Sequence, residues 1–111
     1  MDLITRLEEA ILIAVLRLDD DAYGVTINRE VSRIFHRTYT MGGLYCSLDQ
    51  LYQKGLVSKT AADPAPERGG KSKTFYRLTR EGKSSLEEVR QHHESLWTKI
   101  PGLAGQGLKS R

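Results

Sequence analysis

Apolar residues recur along this chain at a period near 3.6, then near 2, then near 3.6 again. Leu3, Leu7, Ala10, Ile11, Ala14, Val15 and Leu18 share one helical face, which predicts a first helix over residues 3–18. Ile13 and Leu16 widen that face, as expected of a helix that is central or shared between two subunits. Asp19-Asp20-Asp21 interrupts the pattern and is expected to supply an N-cap and negative charge to the next helix. That second helix is predicted from Ala22 to Phe35, with Val25, Ile27, Val31, Ile34 and Phe35 turned inward. Tyr23-Gly24 opens it, the glycine suiting close packing of another element against the backbone. His36 to Tyr39 is a turn, and Thr40 is the expected N-cap of a third helix.

In that third helix Met41, Leu44, Tyr45, Leu48, Leu51 and Tyr52 form one stripe. Gly55 stands where a left-handed residue ends a helix, and Lys54 faces the negative end of the dipole. The remaining face holds Gly42, Gly43, Cys46, Ser47, Gln50 and Gln53, and none of these carries a full charge. Small, hydroxyl and amide side chains without charge suit the reading of base edges in a major groove. Two successive helices with a short turn, the second bearing such a face, describe a helix-turn-helix.

The period then changes. Leu56 to Thr60 and Lys73 to Leu78 read as two strands of a hairpin, Phe75 and Arg77 on one face and Tyr76 and Leu78 on the other. Between them lie Asp63-Pro64-Ala65-Pro66 and Gly69-Gly70, which are turn formers. Arg68, Lys71, Lys73 and Arg77 put cations around the glycines, as a phosphate-gripping arm requires. Thr79 caps a last helix over residues 80–100, stopped by Pro101. Leu86, Val89, His93, Leu96 and Ile100 alternate spacings of three and four along it, the seam of a coiled coil with Trp97 beside it. A seam this long has little left in one protomer to cover it, so dimerisation through this helix is expected.

Length and composition narrow the picture. The 111 residues suffice for one small domain. Its expected parts are a DNA-binding domain over residues 1–79, a dimerisation helix over 80–100 packed with the first helix, and a flexible tail over 101–111. The class is α+β, mainly α: a winged helix-turn-helix with a two-stranded wing. Net charge is +3, with seven basic residues against eight acidic in residues 1–60 and ten against six in residues 61–111. The positive excess in the second half fits an anionic partner met there. A single cysteine, no long apolar run and no basic leader before Leu3 lead to the expectation of a cytoplasmic protein without membrane contact. His92-His93 and the lone Cys46 have no metal-site spacing, and no nucleophile–base pair or phosphate loop is present, so neither enzyme, metal nor cofactor is expected.

Four fragments then carry a resemblance. Ala22-Tyr23-Gly24-Val25-Thr26-Ile27, Gly42-Gly43-Leu44-Tyr45 with Leu48 and Leu51, Lys54-Gly55-Leu56-Val57, and Phe75-Tyr76-Arg77-Leu78-Thr79-Arg80-Glu81-Gly82 resemble the PadR family of bacterial transcriptional regulators in order and spacing. Glu67 to Lys73 is similar to the wing of its short subfamily, which has a single C-terminal helix. The resemblance implies a homodimeric repressor on a palindromic operator in double-stranded DNA, released in many members by a small aromatic or phenolic effector. It implies a phosphate contact by Tyr45 near the start of the reading helix, and contacts by Lys71 and Lys73 of the wing with the minor groove or backbone. Amide and hydroxyl chemistry adds Gln50 and Ser47 as base contacts or as plain exposed polar residues, with Thr40, Gly42 and Gly43 beside them, and charge adds Arg68 as a phosphate ligand. Leu3, Leu7, Ile11, Leu86, Val89, His93, Leu96 and Ile100 would form the dimer interface. Trp97, with His93, has two readings: a surface for stacking a flat ligand, or an interface anchor. Gly43, Cys46 and Asp49 depart from the family pattern, Asp49 by placing an acid where a base is common. The alternative reading is a winged helix that docks protein and does not read DNA.

Overall fold

A computed structural model describes residues 4–62 and 73–98. Along the chain run α1 (Arg6–Leu18), a 3-10 turn (Asp19–Asp21), α2 (Gly24–Phe35), α3 (Met41–Gln53), β1 (Val57–Ala61), β2 (Thr74–Leu78) and α4 (Arg80–Thr98). This is a winged helix: a three-helix body, an antiparallel hairpin, and a long final helix. Arg68, Lys71, Leu3 and Ile100, assigned above to the wing and the dimer interface, lie outside the described residues, as does the expected tail.

Helix α1 is the hub. Thr5 caps it reciprocally: its hydroxyl accepts from the Glu8 N–H at 3.0 Å, while Glu8 accepts from the Thr5 N–H at 2.9 Å. Ala10, Ile11, Leu12, Ala14 and Val15 are buried against Ile27, Val31, Leu44, Leu48, Leu51, Val57, Tyr76 and Leu78. Ile11 is wholly enclosed in this core. Its expected place at a subunit interface is therefore corrected, because it has no surface left to give a partner.

The acidic triplet does not cap α2. Tyr23 takes the N-cap position in extended conformation, and Thr26 instead turns its hydroxyl back to accept from the Tyr23 N–H at 3.0 Å. The extended residues before α2 have another task. The Tyr76 N–H donates to the Ala22 carbonyl at 2.8 Å, and Tyr23 bridges to Phe75, so this segment lines the hairpin as a short third strand. Asp19 and Asp20 are spent on Arg77, at 3.5 and 2.5 Å. Within α2, Val25 faces solvent at 48% exposure, against the inward position expected of it. Its helix turns Ile27 and Val31 to the core instead.

The end of α3 follows its residues closely. Gly55 adopts φ +79°, Leu56 donates to the Leu51 carbonyl at 3.0 Å and Gly55 to that of Tyr52 at 3.0 Å, closing a Schellman motif. Lys54 does more than face the helix dipole. Its ammonium reaches 2.9 Å from the buried Glu8 carboxylate, joining the end of α3 to the start of α1. Thr79 then locks the next junction: its hydroxyl donates to the Gly55 carbonyl at 2.7 Å and accepts from the Gly82 N–H at 3.0 Å. Strands β1 and β2 pair in the register Val57 with Leu78 through Ala61 with Thr74, beside that junction.

Candidate nucleic-acid interface

Helix α3 divides into three faces. Leu44, Leu48 and Leu51 are buried and fix it to the body. Tyr45, Asp49 and Tyr52, spaced by four and three, follow the side turned to the hairpin, where Tyr76 and Lys59 meet them. Thr40, Gly42, Gly43, Cys46 and Gln50 are exposed on the rest, with Ser47 half-buried at its margin. The Thr40 hydroxyl accepts from the Gly43 N–H at 3.1 Å, which satisfies one free donor of the first turn and leaves its own proton available. Among the described residues, the solvent side of this helix carries one charge up to Gln53, that of the exposed Asp49. Cys46 is a free, exposed thiol on it.

Tyr45 is both outward and structural. It is exposed, yet its phenol lies so close over Gly24 that a β-carbon there would overlap the hydroxyl. The glycine at the start of α2 is thus the seat of the Tyr45 ring. Asp49 is exposed on this helix and near enough to the hairpin for its charge to act on Tyr76. Burial first, then the neighbouring Tyr45 and Asp49, push the Tyr76 phenol above its usual 10.0 and keep it protonated.

The hairpin's cations differ in what they touch. Arg77 is engaged by Asp19 and Asp20, so the free phosphate-gripping role read for it is corrected: two carboxylates already offset its charge. Lys73 stands just before β2, its ammonium 4.0 Å from the centre of the Tyr23 ring, and Tyr23 meets Phe75 edge-on at 5.4 Å. A lysine on an aromatic face keeps N–H donors directed at solvent, and so at an incoming anion.

A second surface lies on the opposite side. Helix α4 buries only Gly82, while Leu86, Val89 and His93 rest half-buried along α1. His93 Nε2 stands 3.3 Å from Glu9 Oε1. A groove of about 620 Å³ runs between the two helices over Ile13, Leu16 and Leu86, and a smaller one of about 200 Å³ lies over Ile4, Val89 and Leu96. His93 lines both, and Trp97 lines neither. Leu96 and Trp97 stand out from the helix at 58% and 48% exposure. Leu7 is half-buried beside the core.

Lys59 had no role in the sequence pattern, and Tyr52, read into the apolar stripe of α3, is exposed and meets Lys59 because the hairpin and not the core lies against it.

Residues 12–88 match the family model described as the transcriptional regulator PadR-like family. A comparison with curated protein sequences found no match. Among solved structures, RosR of Halobacterium salinarum is 28% identical with a TM-score of 0.67, the match covering 87% of this chain and 80% of that one. A PadR-like transcription factor from Bacteroides fragilis is 26% identical with a TM-score of 0.67, over 81% and 82% of the two chains. A PadR family transcription regulator from Clostridium difficile is 28% identical with a TM-score of 0.60, over 79% and 88%.

Proposed function

This chain belongs to the PadR-like family of transcriptional regulators, and from that premise we propose that it is a homodimeric repressor that reads an inverted repeat in double-stranded DNA. It is a regulator and not an enzyme. The single observation that carries the reading is the exposed face of small, hydroxyl and amide residues on α3, its one charge that of Asp49, which a leucine-anchored helix offers to solvent beside a hairpin bearing lysines. Thr40, Gly42, Gly43, Tyr45, Ser47 and Gln50 would enter the major groove, where an amide such as that of Gln50 pairs bidentately with adenine. Lys73, and with it Arg68 and Lys71, would meet phosphates beside the groove.

The exposed apolar end of α4 supports the dimer. Leu96 and Trp97 are costly to leave in water, and the groove over Leu16 and Leu86 has room for such side chains from a second copy. Leu7, Leu86, Val89 and His93, with Leu3 and Ile100, would complete that interface, and a small aromatic effector would be taken up beside Trp97 and His93. No helix among the described residues is long and apolar enough to cross a membrane, and the cytoplasm is the proposed location.

Selection of binding sites from random duplex DNA tests the proposal. The expected product is an inverted repeat whose half-sites lie about one helical turn apart. Replacing both Leu96 and Trp97 by glutamate should give a folded monomer on sizing, with affinity for that repeat reduced by at least tenfold. A double variant that remains dimeric and binds as the parent does would remove α4 from the interface.

A further inference from the structure

Among the described residues some cations are paired with carboxylates, while Arg6, Arg29, Arg37, Lys59, Lys73, Arg80 and Lys83 are not. Lys54 is taken by Glu8, Arg17 and Arg33 by Glu30, Arg77 by Asp19 and Asp20, and Arg90 by Glu87 and Glu94. Lys59 and Lys73, one on each side of the hairpin, have no carboxylate partner among the described residues. Each rests on a tyrosine instead, Lys73 on Tyr23 and Lys59 on Tyr52, with the Lys59 ammonium 4.3 Å from the ring centre.

The register places Lys59 more narrowly. It pairs directly with Tyr76, and opposed residues of an antiparallel pair project to the same side. Tyr76 is buried toward α3, so Lys59 leaves the hairpin on that same side, and Tyr52 of α3 receives it. The neighbours Ser58 and Thr60 project to the other side, with Arg77 and the two aspartates. Lys59 therefore stands at the cleft between reading helix and hairpin, exposed and cationic, and its aliphatic stem is steered by the aromatic face.

We propose that Lys59, oriented by Tyr52, is a phosphate ligand for the DNA strand that passes between α3 and the hairpin. The inference rests on the DNA-binding reading above. With α3 in a major groove and the hairpin beside it, the intervening backbone crosses this cleft. A cation held there before binding loses little freedom on meeting a phosphate. Asp49 lies in the same cleft, and Lys59 offsets its repulsion of that strand.

The test is the salt dependence of binding to the selected DNA, measured by fluorescence anisotropy. Lys59→Gln should weaken binding and lower the log–log slope by about 0.9 for each protomer bound. Tyr52→Phe should match the parent, because the ring face is kept. Tyr52→Leu should weaken binding several-fold yet leave the slope intact, because the charge remains but is no longer steered. A parent with steep salt dependence and a Lys59→Gln variant of equal slope and affinity would overturn this inference while leaving the DNA reading standing. A parent without salt-dependent binding would overturn both.

Discussion

Gly82→Ala should destabilise the protein by about 3 kcal/mol or more, seen as a lower midpoint in urea or thermal unfolding. Helix propensity alone forecasts the opposite, since alanine in a helix interior is favoured over glycine by about 1 kcal/mol. Packing decides the sign. A β-carbon on Gly82 would overlap the Leu56 carbonyl oxygen and stand 3.1 Å from its carbon and 3.4 Å from a Leu78 methyl. The obstructing atoms are backbone and cannot rotate away. They also belong to the junction that Thr79 ties, through the Gly55 carbonyl and the Gly82 N–H, so relieving the clash means pulling α4 off the end of α3. A Gly82→Ala protein as stable as the parent would show that this junction is looser than described.

The second large effect is expected at Lys54. Replacing it with methionine leaves the Glu8 carboxylate, with a side chain only 4% exposed, holding the Thr5 N–H as its remaining partner. Loss of a partner to a buried charge should cost about 2–3 kcal/mol near neutral pH. In a Glu8→Gln background the same Lys54 substitution should cost much less, because no buried charge is then stranded. Acid supplies a further check. Burial alone would raise the Glu8 carboxyl above its ordinary 4.5, but the Lys54 hydrogen bond, the Thr5 N–H and the Lys54 charge together bring it below that value. Its contribution to stability is therefore present above pH 4.5 and lost as the pH falls through the lower, folded value. The difference in unfolding midpoint between parent and Lys54→Met should shrink across that acid range. A difference that stays constant from neutral pH down to about pH 3 would mean that the two side chains are not coupled.

What the sequence disclosed was mainly what neighbouring residues decide. Thr40 and Thr79 as caps and Gly55 with positive φ all follow from requirements acting within a few residues. The alternation that put Tyr76 and Leu78 on one face and Phe75 and Arg77 on the other is of the same kind, the first pair being the buried one. The misses share a different cause. Glu8 and Lys54 are 46 residues apart, and Arg77 and Asp20 are 57 apart, so neither pair leaves any local periodicity. The acidic triplet looked like a cap because aspartate before a helix usually is one. Tertiary pairing claimed it instead, and Thr26 took over the start of α2. Val25 looked like core by its chemistry alone, whereas the helical phase set by Ile27 and Val31 turns it out. At the candidate interface, the face of small, hydroxyl and amide residues on α3 was legible as a pattern of residue types. The tyrosine that steers Lys59 was not, since it depended on which side of the hairpin the register would present.

The central claim is that α3 and the hairpin together hold DNA, the helix by base edges and the hairpin by charge. Its most direct test is an anisotropy titration of the intact protein against its selected duplex and a scrambled duplex of equal length, at two or more salt concentrations. The account predicts tighter binding to the selected duplex at every salt, with both affinities falling steeply as salt rises, each phosphate contact contributing about −0.9 to the slope. Equal affinity for the two duplexes, or a flat salt response with the fold intact, would contradict it.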